Sequence, residues 1–207
     1  MKHLGDITKI HITEPWQVVD FVTFGAPCQD LSVAGKRAGM KSILMGDEEQ
    51  TRSGLYFEAV RIIKEMRYFD EHYNGRTGVY IRPRYALYEN VPGALTSNKG
   101  EDWLLVLQEL ARVKDPTVSV PRPDRWEKNG IIMGNEFSLA WAIRDAQFWG
   151  TTDRPTPQRR RRVSLIADFG GQSAPEICFV GKSMSGNPTE SGKAWETTAG
   201  DSEESLD

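Results

Sequence analysis

The sequence is poor in cysteine and histidine, and it contains no long apolar run. Two cysteines in 207 residues, Cys28 and Cys178, cannot form a disulfide framework and point to a reducing compartment. The three histidines, His3, His11 and His72, have no partner pattern and read as surface residues. No segment approaches ~18 consecutive apolar residues, which excludes a membrane-spanning helix. A basic-then-apolar leader is missing at the start, so the expected location is the cytoplasm. The net charge of −3 gives no global attraction to nucleic acid, and local clusters carry that question instead. The apolar content of 39% is on the low side for a globular chain, but six Trp, six Tyr and eight Phe suffice for a core.

The chain is organised around residues 18–32. Val18 to Phe24 reads as a short buried strand, interrupted by Asp20 and broken at Gly25-Ala26-Pro27. Cys28 follows at the strand's carboxyl end, where ligands and chemistry sit in open α/β sheets. A single Cys there has two readings, inert core or nucleophile. Ser32 to Arg52 has two readings also, a lid over Cys28 or a disordered insertion.

Further along, Leu4 to Ile7 reads as a strand end, with Asp6 in the turn after it. Gly54 to Tyr73 has helical periodicity, with Arg61, Lys64, Glu65 and Arg67 facing water. Tyr85 to Tyr88 is a second strand ending at Glu89-Asn90-Val91. Glu101 to Val113 is a helix with an apolar stripe of Trp103, Leu104, Val106, Leu107 and Leu110. Asp115 to Gly130 is Pro-rich and irregular. Phe137 to Trp149 reads as a short helix. Val163 to Phe169 is a third strand, preceded by the cluster Gln158-Arg159-Arg160-Arg161-Arg162. From Gln172 the composition turns polar, and it ends in an acidic, disorder-prone tail.

Three strand ends thus offer a thiol, a carboxylate and guanidinium groups. Cationic neighbours stabilise a thiolate, and the set suits attack on an electron-poor ring carbon. Pro27-Cys28-Gln29, Glu89-Asn90-Val91 and Gln158-Arg159-Arg160-Arg161-Arg162-Val163, in that order, resemble the catalytic motifs of the DNA (cytosine-5)-methyltransferases. Gly5-Asp6-Ile7-Thr8 and Gly54-Leu55-Tyr56-Phe57-Glu58 resemble flanking motifs, so the likeness spans about residues 1–171. Zinc deaminases are excluded, because Pro27-Cys28-Gln29-Asp30-Leu31 lacks the second Cys of their Pro-Cys-x-x-Cys. No metal is expected.

The resemblance implies a partial, Rossmann-like α/β doubly wound sheet that binds S-adenosylmethionine and lacks its first strands. It implies that Cys28 attacks C6 of a flipped cytosine, that Glu89 hydrogen-bonds N3 and the exocyclic amine, and that Arg162 contacts O2. Arg160 would reach a phosphate, Gln29, Ser32 and Asn90 would contact duplex DNA, and Asp6 and Pro27 would line the cofactor site. Residues 1–171 are the expected partial catalytic core. Residues 172–207 are expected to begin a target-recognition region or to form the acidic tail. The family's Phe-x-Gly-x-Gly front, its ribose-binding acid and its closing Asn/Gly-rich motif are missing. The expectations are therefore a reading frame opened at an internal Met and a second chain that supplies the remainder. The alternative is an inactive remnant or a DNA-binding subunit of a split enzyme. A bacterial or phage origin, with a role in restriction–modification, fits the compact motif spacing.

Overall fold

The computed structural model describes residues 2–26, 54–148, 150–151, 154–155, 159–179 and 196–198. Its centre is a six-stranded sheet. The strands are β1 (Phe21–Phe24), β2 (Tyr85–Asn90), β3 (Asn129–Met133), β4 (Ser138–Asp145), β7 (Arg161–Asp168) and β8 (Glu196–Thr198). They lie in the order β1-β2-β7-β4-β3-β8, and β5 (Gly150–Thr151) and β6 (Arg154–Pro155) form a separate small pair. The β1–β2 and β3–β8 pairs are parallel, and the three pairs between them are antiparallel.

Helices cover both faces. On one face α1 (Gly54–His72) and α2 (Glu101–Ala111) pack against Ala86, Tyr88, Leu139, Trp141, Leu165 and Ala167. On the other, the short α3 (Ala174–Cys178) covers Ala140, Ala142 and Ile166. Alternation along β2 sends Ala86, Tyr88 and Asn90 to the two-helix side and Tyr85, Leu87 and Glu89 to the other. This is the α/β sheet with helices on both faces that the sequence predicts, though its strand directions are mixed.

Several expectations need correction. Val18 to Phe24 is not a buried strand. Only Phe21–Phe24 is extended, and it lies at the sheet's edge with Phe21 47% exposed. Asp20 precedes the strand rather than interrupting it, and its carbonyl accepts from the Arg84 and Tyr85 amides. Leu4 to Ile7 is not a strand end: Asp6 instead caps a 3-10 turn at Ile7–Lys9.

The stretch expected as a short helix over Phe137 to Trp149 holds instead the strand β4 and, after it, a 3-10 turn at Ala146–Phe148. β4 lies between β3 and β7, and its first five residues are buried, so both of its faces are apolar. A strand covered on both sides has no alternation to mark it. Arg67 does not face water. It is buried, and its guanidinium donates to the carbonyls of Ile81, Pro83 and Phe169. Three carbonyl acceptors offset the burial of that charge. Arg161 and Arg162 lie within β7 rather than before it.

Candidate active site

The carboxyl ends of β1 and β2 lie side by side, and β7 begins beside them because it runs antiparallel to β2. This one edge of the sheet gathers Gly25, Glu89, Asn90 and Arg162.

Gly25 lets the chain leaving β1 pass close to Glu89. A Cβ at Gly25 would stand 3.2 Å from the Glu89 carbonyl oxygen and 3.6 Å from its Oε2. Carbon that close to a backbone oxygen forces a shift of a few tenths of an ångström, so the absence of a side chain has a local cause.

Glu89 is the last β2 residue on the face away from α1 and α2. Its Oε1 accepts from Arg162 Nε at 2.8 Å. The side chains are 44% and 28% exposed, so the pair is open to solvent. The Arg162 guanidinium also donates to the Arg161 carbonyl at 2.8 Å. Arg160 is exposed, and Asp145 of β4 accepts its backbone N–H at 2.9 Å. That bond fixes the chain entering β7 and leaves the Arg160 side chain directed by solvent.

Asn90, expected at the DNA, is turned inward and only 3% exposed. Its amide nitrogen donates to the Tyr88 hydroxyl and, at 3.5 Å, to the Ala26 carbonyl. Its Oδ1 accepts the Val91 amide at 2.7 Å. The side chain therefore joins the ends of β1 and β2, and burial keeps it from touching a nucleic acid in this conformation. Phe24, Tyr56 and Tyr88 pack beneath it, with ring centroids 5.3–5.9 Å apart.

Asp6 lies on the segment held to α1 by the Arg61 guanidinium, which donates to the Ile7 carbonyl at 3.1 Å. The Thr8 amide and hydroxyl both donate to Asp6 Oδ1 and hold its carboxyl below the usual range. Pro27, Cys28, Gln29 and Ser32 lie outside the described residues, as does the loop from Ser32 to Arg52. Cys178, the other cysteine, is the buried last residue of α3. Burial pushes its thiol up, opposed by the Arg144 guanidinium beside it.

Sequence reasoning gave no role to the Asn90–Tyr88 pair or to Arg144. The alternation along β2, which places Asn90 with Tyr88 and Ala86, was the available sign for the first. Nothing in the sequence marked Arg144, because β4 reads as a helix.

The sequence is similar to those of known methyltransferases. A 106-residue stretch is 37% identical to the type II methyltransferase M.HgiCI of Herpetosiphon aurantiacus, covering 51% of this chain and 19% of that one. A 187-residue stretch is 28% identical to a DNA N-6-adenine-methyltransferase of Escherichia phage P1, covering 80% of this chain and 22% of that protein. This chain thus spans about a fifth of the length of these relatives. Among solved structures, the Dnmt2 methyltransferase of S. pombe aligns over 88% of this chain and 42% of its own, at 16% identity and a TM-score of 0.41. Residues 1–114, which include Glu89 but not Arg162, match the family model for C-5 cytosine-specific DNA methylases. With more than half of its residues matched, the chain belongs to the C-5 cytosine-specific DNA methylase family.

Proposed function

We propose that this chain carries the catalytic residues of a DNA (cytosine-5)-methyltransferase, acting on a cytosine flipped out of duplex DNA. The observation that carries this reading is the meeting of Glu89 and Arg162 at one sheet edge, beside Gly25. A carboxyl group and a guanidinium held together match the polar edge of a cytosine. Glu89 bonds N3 and the exocyclic amine, and Arg162 donates to O2.

Cys28 is the nucleophile. Its thiolate forms the S–C6 bond, and the displaced C5–C6 π pair moves to C5 and into the polarised ring. Once C5 is methylated, a base takes the C5 proton. The S–C6 bond then breaks and the thiolate is restored. S-adenosylmethionine, when bound, would supply the methyl group as an electrophile, its S–CH3 bond breaking with the electron pair kept by the departing S-adenosylhomocysteine. Asp6 suits its adenine: the carboxyl is held ionised by Thr8, and a carboxylate accepts from an exocyclic amine. Pro27 is assigned to the same site from the family pattern. Gln29, Ser32 and Arg160 serve the DNA. Extruding the base opposes stacking by a few kcal/mol, which contacts from the Ser32–Arg52 loop offset.

Activity belongs to an assembly larger than residues 1–171. β1 has no strand on its outer side among the described residues, and Phe21 and Val19 are exposed there. Unpaired apolar edges are sites of pairing, and a further polypeptide segment that completes the cofactor site would cover this one. The second reading, a DNA-binding subunit without activity, draws on the same exposed edge.

Covalent trapping on duplex DNA containing 5-fluorocytosine, with S-adenosylmethionine present, separates the two. The expected result is an adduct once the missing cofactor-binding front is added, and none with Cys28→Ser. Failure to trap under every condition would sink the enzymatic reading. Trapping by Cys28→Ser would show that the nucleophile is misassigned.

A further inference from the structure

Tyr88 and Asn90 are two apart on β2 and share its helix-facing side, while Glu89 between them faces the other way. Tyr88 is fully buried. Its ring packs on Phe24, Tyr56 and Trp103, with centroids 5.4, 5.3 and 6.4 Å away. Tyr56, the other tyrosine of this cluster, turns its hydroxyl to the Val106 carbonyl of α2 at 2.7 Å. The Tyr88 hydroxyl instead accepts from the Asn90 amide nitrogen.

The Asn90 amide can stand only one way round. The Val91 N–H can only donate, so it takes Oδ1, at 2.7 Å. The Ala26 carbonyl can only accept, so it faces Nδ2. The Ala26 contact is long, at 3.5 Å, and a bond of that length does not hold an amide by itself. Nor does rotamer preference, because χ2 of Asn is a broad torsion. Val91 anchors one end of the amide, and the Tyr88 hydroxyl anchors the other. Hydroxyl, amide and Ala26 carbonyl thus form a buried polar chain from the core of β2 to the end of β1. Such a chain is strong when complete and costly when one member is removed. Gly25, just before Ala26, lies against Glu89, and Cys28 follows Ala26 by two residues in sequence.

We propose that Tyr88 is a positioning residue for the methyl-transfer reaction: through Asn90, its hydroxyl sets the end of β1 against Glu89. This rests on the cytosine methyltransferase reading above. Tyr88 stands outside the Glu89-Asn90-Val91 motif, and from its buried place it acts only through Asn90.

The test is Tyr88→Phe, which keeps the ring and removes the hydroxyl, in the full chain completed by the cofactor-binding front. Adduct formation on 5-fluorocytosine duplex DNA is followed as the DNA concentration is varied. The maximal rate should fall about 10-fold, with the half-saturating DNA concentration unchanged. Asn90→Ala should lose rate in the same way, and Y88F should cost nothing further in the N90A background. An unchanged maximal rate in Y88F overturns the proposal. So do losses that multiply in the double variant, because Tyr88 then acts by another route. NMR of the full chain alone gives a readout free of the reaction. The Asn90 side-chain amide protons, identified by their loss in N90A, should be protected from solvent exchange in the wild type and lose that protection in Y88F. Equal exchange in the two overturns the proposal. If Y88F does not fold, the wild type decides: protection supports the proposal, and exchange at the rate of a solvent-exposed amide overturns it. A wild type that forms no adduct removes the functional reading and this inference together. A wild type that traps, with Y88F at the same rate, removes only this inference.

Discussion

Arg162 Nε lies 2.8 Å from Glu89 Oε1, although 73 residues separate the two in sequence. The pair forms because β7 runs antiparallel to β2, which brings the start of one strand to the end of the other. Each side chain thereby offsets the charge of the other.

Glu89→Gln and Arg162→Ala should separate chemistry from stability. A half-exposed ion pair contributes less than about 1 kcal/mol, so thermal melting should barely move. Adduct formation on 5-fluorocytosine DNA should slow on the order of 10²-fold in either variant, the usual loss when a group that stabilises developing charge is removed. Unimpaired trapping by both variants would remove the pair from the mechanism.

Gly25→Ala should act through position. The new Cβ meets the Glu89 carbonyl oxygen at 3.2 Å, and one of the two strand ends has to give. Small misplacements of reacting groups are expensive in rate. Trapping should slow roughly 10-fold while urea unfolding changes little, and a variant with wild-type trapping kinetics would contradict the close-approach explanation.

Asp168 should make the fold acid-sensitive. Burial alone raises its carboxyl. Bonds donated by Arg84, Ser173 and the Gly170 amide outweigh that and hold it below its ordinary value. A depressed folded-state pKa contributes stability that is present above the unfolded value, about 3.9. That contribution is lost as pH falls through the folded value. Asp70, which accepts from Arg82 and Asn74, is lowered in the same way. Stability should therefore fall below about pH 4. Asp168→Asn should destabilise the chain at neutral pH by about 2–4 kcal/mol. It should also narrow the gap between urea midpoints measured at neutral and acid pH, and an unchanged gap would exclude Asp168 as a source of the acid response.

Gly130→Ala should test the core around Trp141. A Cβ at Gly130 would collide with that ring, which packs against Trp103 and Trp126 with centroids 6.0 and 5.9 Å away. Overpacking of this kind costs about 1–3 kcal/mol and should appear as a lower melting temperature. Glycine at 130 has no other evident reason, so a neutral outcome would mean that β3 shifts freely against β4.

The family was legible in the sequence because its motifs are short and local. Pro27-Cys28-Gln29, Glu89-Asn90-Val91 and the arginine cluster each stand at the boundary of an apolar run, and strand ends are where α/β folds present reactive groups. The helices α1 and α2 were legible from the spacing of Leu55, Phe57, Val60, Ile62, Ile63 and Met66, and of Trp103, Leu104, Val106, Leu107 and Leu110. Arg67 was not, because a charged residue within a helix reads as solvent-facing until its carbonyl acceptors, supplied by the chain before β2 and after β7, are known.

By itself, then, the sequence determined the family and named the candidate residues, since each depends on residue type and local order. Tertiary structure decided the rest. It made residues 138–145 a strand, because burial on both faces removes the periodicity that distinguishes strand from helix. It turned Asn90 inward to tie β1 to β2, and it set Arg144 opposite Arg162. Strand register is fixed by pairing across the sheet, and no window of sequence contains both partners.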